Sequence, residues 1–205
     1  TGLDGYKHLV GLREIDIVLI TSPVAFHPIQ LTASVNAGKH TFMEKPAGVD
    51  PFGIRQVIAA GELAKQKGLA IVAGTQRRHQ AVYRANYDAV QAGALGGPIL
   101  GGRVWWCGGD NVRNVLRARR PNESDAEFMT QPRGWYNFAD LCGDHIVEQH
   151  VHNIDVANWF IGRNPVTALG FGMRARREAG NRYDFFSIDF DYGENVSVHS
   201  MCRQI

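Results

Sequence analysis

The sequence predicts an α/β fold followed by an α+β one: an open parallel sheet first, then a domain with an open, mainly antiparallel sheet. Three observations predict it. Short aliphatic runs alternate with helical stretches from Ile15 to Thr75, which reads as right-handed βαβαβ winding. Beyond Pro165 the segments PVTALGFGMR, YDFFSIDFDY and ENVSVHSMCRQ alternate apolar and polar residues, as strands with one covered face do. The texture changes between them, near Gln76 to His79, which divides the chain into domains 1–77 and 78–205.

Leu3 to Leu12 reads as a short helix, and IDIVLI (Ile15 to Ile20) as a strand buried on both faces, stopped by Thr21-Ser22-Pro23. A helix from Pro28 ends at Gly38, and the strand HTFMEKP ends at Pro46. Asp50 caps the next helix with Pro51 at its first position, and Gly68 stops it. LAIVAGT is a third buried strand. Val82 to Ala92 is a helix, Gly96-Gly97-Pro98 a turn, and ILGGRVWW the first strand of the second sheet. Residues 108–131 are rich in Arg, Asn and Gly and read as a long surface loop. Ile146 to Ile161 is one helix ended by Gly162, and YGEN turns the last hairpin.

Composition excludes several function classes. A 44% hydrophobic, 20% charged chain is globular rather than disordered. A net charge of +2 is too small for the phosphate neutralisation that dominates nucleic-acid affinity, and no run approaches the roughly 20 apolar residues of a membrane span. Nucleic acid and membrane are therefore not expected partners. Cys107, Cys142 and Cys202 form no CxxC pair, so neither a disulfide framework nor a thiolate zinc site is indicated. The start lacks Met and the end stops inside a strand, so the chain reads as a fragment at both ends.

In open α/β sheets a ligand lies beyond the carboxyl ends of the strands, so Thr21-Ser22-Pro23 and Glu44-Lys45-Pro46 point at one crevice. An ammonium there is partly desolvated and can polarise a substrate oxygen; a surface Glu-Lys pair before a turn proline is the plainer reading. In CGDHIVEQHVHNIDVANWF, helical spacing puts His145, Glu148, His152 and Asp155 on one stripe, with His150 elsewhere; the stripe is either a solvated polar face or, as the surrounding apolar residues favour, the wall of a cleft. A nearby carboxylate favours charged His152. His145, Glu148 and His152 are also metal-ligand types, but HExxH is absent and no third ligand tract stands out, so no metal is expected. His27 lies over a ligand or merely near a helix start. Gln76-Arg77-Arg78 meets a diphosphate, the other domain or solvent. Trp105, Trp106, Trp135 and Tyr136 read as packing residues, and Cys142 as a buried inert thiol.

Taken together, DIVLITSPVAFHPIQLTASVNAGKHTFMEKP, LAIVAGTQRRH, QAGALGGPI and EQHVHNIDVANWFIG resemble the Gfo/Idh/MocA oxidoreductases, the group of glucose-fructose oxidoreductase and inositol dehydrogenase. The resemblance spans nearly the whole chain. It implies the later part of a Rossmann domain holding NAD or NADP, then a substrate domain whose open sheet supports homo-oligomers. The GxGxxG turn and the acidic or basic selector of NAD or NADP are not among these 205 residues, so weak cofactor retention is expected.

By the same resemblance Lys45 bonds the reacting hydroxyl and His152 is the general base. Glu148 stands where the family most often has Asp. Thr21, Ser22, Pro23, His27, Glu44 and Lys45 line the nicotinamide and its ribose. The implied reaction oxidises a secondary alcohol of a sugar, cyclitol or related polyol: His152 takes the proton, Lys45 steadies the alkoxide, and hydride passes to nicotinamide. A glycosidase using transient oxidation and an inactive sensory protein are the alternatives. Localisation is cytoplasmic or, with a leader upstream, periplasmic.

Overall fold

The structure, a computed structural model, describes residues 2–109, 121–124, 127, 134–177 and 180–204. The first unit runs α1 (Gly5–Val10), β1 (Ile17–Ile20), α2 (His27–Asn36), β2 (His40–Met43), α3 (Pro51–Gln66) and β3 (Ile71–Ala73). Its strands pair in parallel in the order β1-β2-β3, with Ile20 beside Met43 and Met43 beside Ala73. Local chemistry sets these elements. The Asp50 carboxylate accepts from Gly53 N–H at 2.6 Å to cap α3. Gly38 and Gly68, at φ +75° and +67°, supply the left-handed conformation that follows α2 and α3.

The core of this unit joins Val18, Ile20 and Met43 to Leu31, Val35, Ala60 and Ala64 of α2 and α3. Fully burying Leu31 or Val35 contributes roughly 1.5–3 kcal/mol each. Burial on both faces of IDIVLI is corrected here. Val18 and Ile20 are buried, but Ile17 and Leu19 are 60% and 68% exposed, because α2 and α3 cover one face only. β3 is likewise largely open rather than buried.

The second unit runs α4 (Ala81–Gln91), β4 (Gly101–Gly108), α5 (Ala139–Cys142), α6 (Asp144–Glu148), α7 (Val151–Ile161), β5 (Thr167–Met173), β6 (Phe185–Asp191) and β7 (Ser197–Gln204). Sheet order is β4-β7-β6-β5; β5–β6 and β6–β7 are antiparallel, while β4 runs parallel to β7. The buried face of β7 changes character along its length. Val198, with Val196 and Tyr192, meets Ala157 and Ile161 of α7, whereas Ser200, Cys202 and Gln204 face buried polar groups. Most of the 108–131 stretch lies outside the described residues.

The expected single helix from Ile146 to Ile161 is two helices. Between α6 and α7 the chain turns at Gln149 and His150; both backbone N–H groups reach the His145 carbonyl, at 3.0 and 3.1 Å. The five-residue reach of the second bond widens the turn and breaks the single stripe. α6 is launched by Gly143 and Asp144, both left-handed at φ +78° and +68°. A Cβ on Gly143 would lie 2.6 Å from Val147 Cγ1 and 3.3 Å from Val49 Cα. Gly143→Ala is therefore expected to cost about 2 kcal/mol or more of stability, read from the urea midpoint.

Candidate active site

The carboxyl ends of β1, β2 and β3 open side by side. Glu44 N–H bonds the Ile20 carbonyl at 2.9 Å and Gly74 N–H the Met43 carbonyl at 2.8 Å, which places Thr21–Pro23, Glu44–Pro46 and Gly74–Arg78 along one edge. Glycine at 74 is needed because a Cβ there would lie 2.5 Å from Glu44 Oε2. Ser22 Oγ donates to Gln30 Oε1 at 2.6 Å. The buried His27 ring sits 2.7 Å from both the Pro46 and the Ser22 carbonyls, so it braces the two tracts against each other.

Lys45 leaves this edge and crosses to the second unit. Its ammonium donates to Glu148 Oε1 at 2.8 Å and to the Glu148 carbonyl at 2.5 Å, an ion pair whose side chains are only 16% and 9% exposed. Gln149 Nε2 donates to the other Glu148 oxygen at 2.6 Å, so both carboxylate oxygens are occupied. A second staple lies alongside, where Arg78 forks onto Asp155 of α7 at 2.9–3.1 Å.

His152, at the start of α7, is buried, and its ring lies 5.7 Å from that of Trp106 at 23°. Its pKa is below the usual histidine value. Burial is the main cause, and the Lys45 and Arg77 charges add to it against Glu148 and Asp155. The nearby carboxylates do favour the imidazolium, as expected, but burial and the two cations outweigh them, so the net shift is toward the free base. His145 and His150 are fully buried and lowered to about 4, His145 by burial and then Arg182, His150 by burial, then His145 and Arg77. His150 meets Ser200 Oγ at 2.7 Å. Burial pushes the Cys142 thiol up to about 11, an inert thiol.

No group of three or more His, Cys, Asp or Glu side chains able to hold a metal occurs among the described residues. The break after α6 leaves His145 and Glu148 on α6 and His152 on α7. Several site-building residues escaped the sequence reading. Arg182 donates to the Tyr136 carbonyl at 2.7 Å and to Gln204 Oε1 at 3.2 Å, and lies 3.5 Å from Asp144, which anchors the start of α6. Asp184 feels burial most strongly, yet the N–H groups of Arg176, Ala175 and Arg177 and the Arg177 charge together hold its pKa low. Trp106 was read as packing; strand alternation, which sets it on one face with Val104, was the available signal.

Residues 3–75 match the family model described as oxidoreductase family, NAD-binding Rossmann fold. Residues 3–75 are thus similar to the NAD-binding part of the Gfo/Idh/MocA oxidoreductases. Among relatives of this family, inositol 2-dehydrogenase 3 of Saccharopolyspora erythraea is 35% identical over 45% of this chain and 27% of its own. Inositol 2-dehydrogenase of Agrobacterium fabrum is 29% identical over 79% of this chain and 40% of its own. The fold matches scyllo-inositol dehydrogenase from Lactobacillus casei with bound NAD(H) and scyllo-inositol at a TM-score of 0.71 and 22% identity, covering 97% of this chain and 54% of that one. The chain therefore spans about half the length of that structure, and less of the curated relatives it matches. Among the described residues, no helix is long and apolar enough to cross a membrane.

Proposed function

We propose that this chain is the central part of an NAD- or NADP-dependent dehydrogenase that oxidises a secondary alcohol of a sugar, cyclitol or related polyol. The observation that carries the reading is the meeting of Lys45 with Glu148, one helix break away from His152, at the edge where three parallel strands end. In this reading residues 1–77 form the later part of the Rossmann domain and residues 78–205 the substrate domain. The strand-end bed fits a nicotinamide: it is laid with Thr21, Ser22, Pro23 and Glu44, and Gly74 keeps the backbone open beside Glu44. Ser22 and His27 shape that bed through bonds already made within the protein.

A nicotinamide held on this bed would supply the acceptor, or in reverse the donor, of the carbinol hydride. The protein supplies the proton chemistry. His152, held unprotonated, accepts the hydroxyl proton, and Lys45 turns its ammonium from Glu148 toward the oxygen that becomes alkoxide. Glu148 holds that ammonium in place before substrate arrives. The exposed row Leu169, Phe171 and Met173 on the outer face of β5 supports a second copy packing there. The test is a panel of polyols and cyclitols offered to the intact protein with NAD and NADP. Net formation of reduced nicotinamide, lost in His152→Ala with cofactor binding retained, is expected. Sugar release at constant reduced nicotinamide, or cofactor binding without turnover on any substrate, overturns it.

A further inference from the structure

A histidine that serves as a base is commonly oriented by a carboxylate or carbonyl bonded to its second nitrogen, which fixes the tautomer and favours the charged ring. His152 has no such partner among the described residues. Among the described residues neither ring nitrogen meets a hydrogen-bond acceptor or donor, and the nearest-placed carboxylates are engaged elsewhere, Glu148 by Lys45 and Gln149 and Asp155 by Arg78. What meets the ring is a face: the near-parallel indole of Trp106.

That indole has a second ring-facing partner. The Arg77 guanidinium lies 5.1 Å from the Trp106 ring centre and 5.3 Å from that of Tyr83, and it donates to the Tyr83 hydroxyl. Around the strand bearing Trp106, Asn153 of α7 donates to the Trp105 carbonyl at 2.5 Å, so β4 and α7 are tied one residue from each ring. The order Tyr83, Arg77, Trp106, His152 thus runs from α4 through the turn after β3 and β4 to α7. Among the described residues Arg77 Nε is buried without a hydrogen-bond partner, and the guanidinium lies against the two aromatic rings.

We propose that Trp106 and Arg77 are positioning residues for His152: the indole sets the plane of the imidazole, and the guanidinium beside the indole opposes a positive charge on that ring. The inference rests on the proposed role of His152 and extends it. The stack replaces a carboxylate orienter with a device of opposite electrostatic sign. The charged groups facing His152 are Lys45 after β2, Arg77 after β3, Glu148 on α6 and Asp155 on α7. Lys45 and Arg77 both oppose charge on the ring while Glu148 and Asp155 favour it, and Arg77 is the cation of this set that also meets the Trp106 ring.

The experiment follows the His152 imidazole by nitrogen-detected NMR titration in the intact protein, alongside the pH dependence of kcat/KM. Arg77→Gln is expected to raise the His152 pKa by about half a unit or more and to move the acid limb of the rate profile by the same amount. Trp106→Leu is expected to lower kcat about tenfold with little change in KM, and Trp106→Phe to restore most of it, since a second aromatic face keeps the ring plane. A His152 titration unchanged in Arg77→Gln, or Trp106→Leu and Trp106→Phe behaving alike, overturns the proposal. The titration needs no turnover, so it separates this outcome from failure of the dehydrogenase reading, which His152→Ala tests. Trp106→Phe and Arg77→Gln keep the test decisive should Trp106→Leu not fold.

Discussion

Replacing Lys45 by methionine is expected to lower kcat by about 10²–10³-fold, the usual loss when a group that stabilises developing oxyanion charge is removed. The same change removes the ammonium from Glu148, whose side chain is 9% exposed. A carboxylate left buried without its cation costs roughly 3–5 kcal/mol, so the single variant will also be less stable. The two losses have different remedies. In Lys45→Met/Glu148→Gln the amide has no charge to strand and can still receive the Gln149 bond, so most of the stability should return while the rate stays low. Urea midpoints, initial rates and binding of reduced cofactor by fluorescence, measured on both variants, separate these contributions. A double variant that regains turnover would show that Lys45 is a structural staple between the two units and no part of the chemistry.

The first unit was legible because its signals are local. The Asp50-Pro51 cap, the glycine stops at 38 and 68 and the aliphatic runs each act within a few residues, and they recur in the structure with shortened ends. The pattern could not show which faces would be covered. IDIVLI reads the same whether helices lie on one side or two, and here Ile17 and Leu19 stay open. In the second unit the period-two alternation identified the sheet. The parallel pairing of β4 with β7 joins residues nearly a hundred positions apart, which no local pattern encodes.

The site divides in the same way. Lys45 stood out because it ends a strand, and Glu148 and His152 because of their spacing. The helix break between them was hidden because its cause is tertiary: His150 turns inward to Ser200 on β7, and the chain opens by one residue to allow it. The ionisation of His152 was misread for a related reason. Spacing shows that a carboxylate is near; it does not show the burial of the ring, or the Lys45 and Arg77 charges from elsewhere in the chain, which together outweigh it. Trp106 and Arg182 likewise gain their meaning only from partners on other elements.

Acidification from pH 7 to pH 5 is expected to weaken the fold markedly, and the cause lies in His145 and His150. Both have folded pKa values near 4 against an ordinary 6.5, since burial disfavours their charged rings. Between those values the unfolded chain binds two protons that the folded one refuses, so stability rises with pH there and falls as pH drops below about 6.5. The decline ends near pH 4, where the folded state titrates too. Full expression is on the order of 3 kcal/mol per histidine, less for the pair because His145 is part of what depresses His150. His152, lowered in the same direction, adds to the loss. Asp184 acts in another window, because a carboxylate held below its ordinary value of 3.8 gives up its contribution only in stronger acid. Urea midpoints at intervals from pH 7 to 4.5 should therefore fall steadily, and the slope should flatten in His150→Gln, which keeps a polar partner for Ser200 without a titrating ring. Midpoints that do not change over that range would mean the two rings carry protons in the fold, and that the polar end of the second core is wet.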